Sequence, residues 1–218
     1  MSKSKHSALV VGLGLFGRAT AERLRALGWD VVGIDEDAAV VQELRDSLSY
    51  VVQLDACDEE ALATIGVPDF EVCIITSSES LENSILLALN LQQLGAKYTV
   101  AKVASVYHAR IMWRLGVDRV IFPEYEGGTR LAETLQSPHL VAWIDLSKEQ
   151  ELGVVRVPEA RAGSSLKEWK ELQRPALQVL GRLSAAGQVL ELDWDVALER
   201  DETLVVVGPL AEILAVGQ

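Results

Sequence analysis

The chain has 218 residues, of which 49% are hydrophobic and 24% charged, and a formal net charge of −12. That balance is globular, sized for one large domain or one medium and one small, and it excludes disorder as the default. The negative charge repels nucleic-acid phosphates and anionic lipid headgroups, which disfavours general DNA or RNA binding and simple electrostatic adhesion to a membrane.

Residues 1–7 are polar and basic, without the apolar core of a signal peptide, and predict a tail ahead of the first strand. Residues 8–11 are a short apolar run that ends in glycines. From 15 to 27 the spacing turns helical, with Phe16, Ala19, Thr20, Leu24 and Leu27 on one side, until Gly28 stops the helix. Val31, Val32 and Ile34 predict a second strand closed by Asp35. Val40, Val41 and Leu44 mark a second helix. Residues 50–54 read as a third strand, and 58–65 as a short helix with acidic residues in its first turn, where the helix dipole favours them. A fourth strand at 72–76 leads into a long helix at 81–94, stopped by Gly95. Strand 98–103, helix 106–115, strand 117–122 and helix 124–135 continue the alternation. Short buried strands alternating with helices predict right-handed βαβ units and an α/β, Rossmann-like, doubly wound parallel sheet.

The character changes at Ser137-Pro138, since the residue before a proline is pushed out of helical geometry. Residues 1–137 are therefore expected to form a nucleotide-binding domain and 138–218 a small α+β domain. Strands are predicted at 141–146, at 153–157, on both sides of the turn Ala185-Ala186-Gly187, and at 203–207, with helices near 165–172 and 210–216. The stretch 176–183, with Arg182, could line a ligand site, but reads first as a core strand bearing one solvated arginine. A domain of about 80 residues sits near the lower limit for folding alone, so association through a partner surface is expected. No run approaches the ~20 apolar residues of a membrane span. Cys57 and Cys73 form no Cys-x-x-Cys pair and no metal-spaced cluster with histidine, and read as reduced thiols.

Gly12-Leu13-Gly14-Leu15-Phe16-Gly17 is a Gly-x-Gly-x-x-Gly string between a predicted strand and a predicted helix. In that context it is a dinucleotide-binding signal. Gly12 permits the tight turn, Gly14 lets the backbone approach a pyrophosphate, and Gly17 lets the helix pack on the sheet, while the helix N-terminus offers N–H groups to the anion. Asp35 is placed to accept ribose hydroxyls and would repel a 2′-phosphate, which favours ATP, ADP, AMP or NAD over NADP. Ligands of such sheets bind outside the carboxyl ends of the strands, so Asp55, Ala56 and Cys57, then Thr76, Ser77, Ser78 and Asn83, and finally Lys102 are candidate framing residues. Asp55 and Ser77 read equally as turn or N-cap residues, and Lys102 as a surface charge.

Taken together, residues 11–17, Ile34-Asp35, Leu54-Asp55-Ala56-Cys57-Asp58, residues 115–120, Phe122-Pro123-Glu124 and the ending at 198–208 resemble the RCK, or KTN, regulatory proteins of Ktr/Trk-type potassium uptake systems (TrkA/KtrA-like). The resemblance covers nearly the whole chain. It implies a cytoplasmic, non-enzymatic subunit whose N-domains pair and assemble into an octameric ring, peripheral to the membrane beneath a potassium-translocating subunit. It further implies that ATP and ADP exchange on the Rossmann sites gates transport, and that in some members cyclic di-AMP binds the C-domain. Glu124 matches a family glutamate near the phosphates of a neighbouring subunit's nucleotide, where a divalent cation such as Mg²⁺ or Ca²⁺ can bridge. Close relatives carry an arginine at the position of Leu15, which neutralises the terminal phosphate of ATP. Leucine cannot do so, and a charge-assisted bond to phosphate contributes ~1.5–3 kcal/mol, roughly tenfold to a hundredfold in affinity. Arg18, three positions on, is the nearest replacement unless the helix turns it elsewhere. NAD(H), which needs no terminal-phosphate cation, stands as the alternative ligand.

A nicotinamide-dependent oxidoreductase would need a proton-transfer residue beside the cofactor. His6, His108 and His139 fall in the tail, on a helix and after a proline, none in a recognisable catalytic setting, while a residue such as Lys102 or Tyr107 stays open as a general acid. A redox-sensing repressor would need a basic recognition module, which the acidic balance argues against.

Overall fold

The computed structural model describes residues 6–76 and 80–216. The chain divides into two compact units, one ending at Glu124 and the other beginning at Tyr125.

The first unit is a six-stranded parallel sheet in the order β3-β2-β1-β4-β5-β6. Its strands are β1 (Ser7–Val11), β2 (Asp30–Asp35), β3 (Tyr50–Gln53), β4 (Val72–Ile75), β5 (Thr99–Lys102) and β6 (Arg119–Ile121). The intervening helices are α1 (Leu15–Ala26), α2 (Ala38–Leu44), α3 (Glu59–Ala63), α4 (Leu81–Gln93) and α5 (Val106–Arg114), and α6 (Pro123–Gln136) follows β6. The order reverses between β1 and β4: β1 pairs with β2 along Ser7–Val11 and with β4 along Ala8–Val11. This reversal is the switch point at which doubly wound sheets open a crevice.

Side-chain alternation along the strands explains the two-sided core. Leu9, Val11, Cys73, Ile75 and Ala101 point to one face, where they meet Leu87, Leu91, Ala109 and Met112 of α4 and α5. Val10, Val31 and Ile74 point to the other, against Leu13, Ala21, Leu44 and Leu48. Local signals start the helices: Asp37, Asp58, Ser80 and Ser105 each accept an N–H of the first turn of α2, α3, α4 and α5.

The second unit holds a five-stranded antiparallel sheet in the order β10-β9-β11-β8-β7, built from β7 (Leu140–Asp145), β8 (Glu151–Arg156), β9 (Gln178–Leu183), β10 (Val189–Leu190) and β11 (Thr203–Gly208). Helix α7 (Leu210–Val216) places Ile213 against Gly153 and Val206 of the core.

The compact units part between Glu124 and Tyr125, near the start of α6 and ahead of Ser137-Pro138. Two expectations change. The helix expected near 165–172 is two 3-10 turns, Leu166–Glu168 and Lys170–Gln173. Trp169 between them is extended at φ −89° and ψ 90°, which breaks the helical run and seats its indole in the core. Arg182 is not solvated: it is 3% exposed and bonds through two guanidinium nitrogens to the equally buried Glu202 at 2.9–3.1 Å. Among the described residues, no helix is long and apolar enough to cross a membrane.

Candidate functional site

At the end of β1 the chain turns at Gly12, whose φ of 91° is open to glycine and strained for other residues. The Gly12 N–H donates to Ile34 O at 2.8 Å. From β4's end, Thr76 Oγ1 donates to Val11 O at 3.0 Å and also to Gly12 O. The loop is thus pinned to both sheet neighbours of β1. A Cβ on Gly17 would lie 1.9 Å from Gly12 O and 2.5 Å from Thr76 Oγ1, so only glycine lets the first turn of α1 close on the loop. At Gly14 the opposite holds: an added Cβ would meet nothing within 4 Å. That open space lies over the start of α1, whose first N–H groups have no acceptor within the helix. Such donors, with the dipole, can attract an anion.

Asp35 closes β2 and does two things. Its Oδ2 accepts the Leu13 N–H at 2.6 Å, and its Oδ1 accepts the Asp37 N–H at 2.9 Å. The carboxylate braces the glycine loop while still facing the cleft beside it. Asp37 in turn caps α2 through the Ala39 N–H at 2.8 Å.

The cleft over these strand ends has a volume of about 730 Å³, within the ~300–1,000 Å³ typical of ligand sites. The structure brings Gly12, Gly14, Leu15, Phe16, Gly17 and Asp35 to its wall, and with them Asp55, Ala56, Cys57, Thr76, Asn83, Lys102 and Glu124. Leu13 does not join them with its side chain, which is 2% exposed and packs toward Gly33; it contributes its N–H to Asp35. Ser77 and Ser78 lie outside the described residues. Leu15 is on the cleft wall and 90% exposed, and its side chain brings no charge there. Arg18 is turned away, donating to Glu22 Oε1 at 3.2 Å and Glu43 Oε1 at 2.5 Å.

Sequence reasoning missed several wall residues. Glu36 and Asp37 follow Asp35 directly, and their signal was adjacency to a recognised strand end. Val40, Leu54 and Leu87 supply apolar wall. Asn90 was also missed: 3% exposed on the apolar side of α4, its Nδ2 donates to Cys57 O at 3.0 Å and to Ala56 O at 3.4 Å, holding that loop from beneath. A buried amide in an otherwise aliphatic helical stripe was the available signal.

The electrostatics are lopsided. Asp35, Glu36, Asp37, Asp55 and Glu124 bring carboxylates to the cleft; among the described residues Lys102 is its one basic wall residue. Lys102 Nζ lies 2.7 Å from Glu124 Oε1, and its hydrogen bond holds the Glu124 carboxyl below the usual carboxylate range. Burial, then the charges of Asp55 and Glu36, push the Cys57 thiol up, so it stays protonated at neutral pH. Both cysteines are free thiols. Among the described residues no group of three or more His, Cys, Asp and Glu is arranged to hold a metal ion. His6 pairs with Glu71 at 2.6 Å and His108 is buried against Ser84; neither histidine reaches the cleft wall, nor does Tyr107.

The family model described as the TrkA-N domain matches residues 8–123. Ktr system potassium uptake protein C of Bacillus subtilis (strain 168) is 25% identical over 209 residues, covering 96% of this chain and 95% of that one. Ktr system potassium uptake protein A of the same organism is 30% identical over 147 residues, 67% of this chain and 66% of that one. Among solved structures, the GsuK channel bound to NAD superposes with a TM-score of 0.64 at 19% identity over 100% of this chain, and GsuK bound to ADP with 0.51 at 17% identity over 64%. The present chain spans 40% and 35% of those GsuK chains. At such identities the likeness establishes the fold.

Proposed function

We propose, on the premise that this chain belongs to the TrkA-N domain family, that it is a nucleotide-sensing regulatory subunit of a potassium uptake system. The observation that carries the reading is the cleft at the switch point, with an anion-ready glycine loop and the Asp35 carboxylate braced beside it. A diphosphate seats on the first turn of α1, the ribose hydroxyls meet Asp35, and the adenosine lies along the apolar wall of Val40 and Leu54. Relatives carrying the Ktr name along nearly the whole chain support the transport context. The partner is then a potassium-translocating membrane subunit, with copies of this chain assembled on its cytoplasmic side, N-domain against N-domain, into an octameric ring. The subunit acts as a regulator rather than a catalyst.

ATP and ADP are the exchanging ligands in this reading. A specific observation favours NAD(H) as a second: among the described residues the acid-rich wall offers one cation, already paired, to a terminal phosphate. Regulation requires that the ligand bind two conformations of the assembly with different affinity; tight binding alone shifts nothing. Glu124 joins a divalent cation in this reading only together with phosphate oxygens, and the C-domain is the place to look for cyclic di-AMP.

Calorimetry of the purified protein with ATP, ADP, NAD⁺, NADH and cyclic di-AMP, with and without Mg²⁺, tests the reading. Binding of an adenine nucleotide together with a ligand-dependent change of assembly size by light scattering supports it. A folded protein that binds none of these ligands overturns it.

A further inference from the structure

We propose that Asn90, which does not line the cleft, is a positioning residue for the base: it clamps the turn that follows β3, and so sets whether the cleft tells adenine from guanine. The inference rests on the reading that the cleft takes an adenine nucleotide.

Asn90 is 3% exposed on α4, whose other buried members include Leu87, Ala88 and Leu91. A helix that only had to pack there would carry another aliphatic residue, since a buried amide costs free energy unless it is hydrogen-bonded. Its Nδ2 donates to Cys57 O at 3.0 Å and to Ala56 O at 3.4 Å. Both partners are carbonyls, which only accept, so the nitrogen of the amide and not its oxygen must face them.

The two carbonyls belong to consecutive peptide groups, each planar with its N–H opposite its C=O. Asp55 takes both N–H groups on the far side. Its Oδ1 accepts from Cys57 at 2.9 Å and its main-chain oxygen from Asp58 at 3.1 Å. The peptide groups joining residues 56–57 and 57–58 are therefore held at both ends, by Asn90 beneath and by Asp55 above. Releasing the carbonyls lets the N–H groups turn, and the Asp55 carboxylate loses its bearing with them. The ends of the turn are tied independently: the Leu54 N–H donates to Asp35 O at 3.0 Å, and Asp58 caps α3. Asn90 supports the middle from α4, where the Cys57 thiol adds a weak bond to Asn83 O at 3.8 Å.

Asp55 is the acidic wall residue of this turn. In the sheet order, β2 with Asp35 at its end separates β3 from β1. A nucleotide whose phosphate rests on the glycine loop and whose ribose meets Asp35 brings its base to the turn after β3. A carboxylate fixed there accepts from the exocyclic amine of adenine and repels the carbonyl oxygen that guanine carries in its place. A carboxylate free to turn must be ordered by the ligand, and the discrimination falls.

ADP and GDP share their phosphates and ribose, so the ratio of their affinities reads the base. Both are titrated calorimetrically into the wild type, Asn90→Leu, Asp55→Asn and the double variant, each checked for folding by circular dichroism. The wild type binds ADP more tightly than GDP. In Asn90→Leu, ADP weakens about fivefold to tenfold while GDP changes by less than about twofold, the loss of one charge-assisted bond to the base. Asp55→Asn lowers the ratio alone and adds little on the Asn90→Leu background, because both act through one carboxylate. Should Asn90→Leu not fold, Asn90→Ala removes the same donor with less crowding and is read in the same way. A wild type that does not prefer ADP, unchanged ADP binding, an equal weakening of ADP and GDP, or additive losses in the double variant overturns the proposal and leaves the reading of the cleft standing. If the folded wild type binds neither diphosphate nor NAD⁺, the reading of the cleft itself fails, and the role of Asn90 with it.

Discussion

Asp35 Oδ2 accepts the Leu13 N–H at 2.6 Å, so the residue placed to meet a ribose also fixes the loop placed to meet the phosphates. Binding and bracing can be separated by substitution. Asp35→Asn retains an amide oxygen for Leu13 but loses the charge; Asp35→Ala loses both and leaves two N–H groups, of Leu13 and Asp37, without their acceptor. We expect Asp35→Ala to cost about 1–3 kcal/mol of stability and Asp35→Asn about half that or less. Both weaken adenine nucleotides. Asp35→Asn also narrows the gap between NAD⁺ and NADP⁺, because the repulsion of a 2′-phosphate is gone. Urea denaturation and calorimetry on the pair read the two effects. Equal stabilities of the two variants would show that the Leu13 bond contributes nothing.

Gly14 and Gly17 look alike in the sequence and differ in the structure. A methyl on Gly17 runs into the backbone oxygen of Gly12, whereas one on Gly14 enters open space. Gly14 has φ −60°, which alanine adopts without strain. Gly14→Ala should therefore keep the thermal midpoint within a few degrees and lower nucleotide affinity, since the methyl occupies the phosphate's approach. Gly17→Ala should lower the midpoint, with an expected loss of about 1–3 kcal/mol from overpacking. Differential scanning fluorimetry with and without ligand separates them. A Gly14→Ala protein with undiminished affinity would remove the cradle from the account.

The parts of this molecule written in short-range patterns were legible in the sequence. The strand–glycine–helix passage at Gly12–Gly17 and the acidic first turn of α3 depend on residues within a few positions of one another, so periodicity and turn chemistry expose them. The joint at Ser137-Pro138 was a local signal too, but the boundary between compact units depends on what α6 packs against, which no local signal reports. The hidden features are long-range partnerships. Lys102 and Glu124, Asn90 and the carbonyl of Cys57, and Arg182 and Glu202 join residues on different elements, and each member alone has an ordinary reading as a surface charge or helix polar residue. Arg182 was misjudged for this reason: its burial is tolerable only because Glu202 arrives from β11's approach.

The Arg182–Glu202 pair gives the third expectation. Both side chains are almost fully buried, at 4% and 1% exposure, and Glu202 Oε1 accepts the Glu199 N–H at 3.0 Å besides. Removing one partner strands a buried charge. Arg182→Met should destabilise the second unit by about 3–5 kcal/mol, whereas Arg182→Met with Glu202→Leu should recover a large part of that loss. Chemical denaturation of the single and double variants makes the measurement. A double variant no more stable than the single would mean that the pair's value lies in the Glu199 bond rather than in the charges.

His108, which is 3% exposed within the first unit, contributes to the response to acid. Its Nδ1 accepts the Ala104 N–H at 3.4 Å, which assigns the ring proton to Nε2; that nitrogen donates to Ser84 Oγ at 2.9 Å, and Ser84 passes its own proton to Leu81 O at 2.8 Å. Charging the ring would set a new N–H on Nδ1 against the N–H of Ala104. Burial accordingly lowers the pKa of His108 from its ordinary value. The sign follows from linkage: with the folded pKa below the unfolded one of about 6.5, the unfolded chain binds more protons in acid. Stability is therefore whole above about pH 6.5 and declines as the pH falls below it, until the folded pKa is passed. His108→Gln should be less stable than the wild type at pH 7.5, yet lose less on going to pH 5.5. Urea midpoints for both proteins at pH 7.5, 6.5 and 5.5 measure the difference, and because carboxylates titrate equally in the two, a wild type and variant that decline in parallel would clear His108 of any part in the acid response.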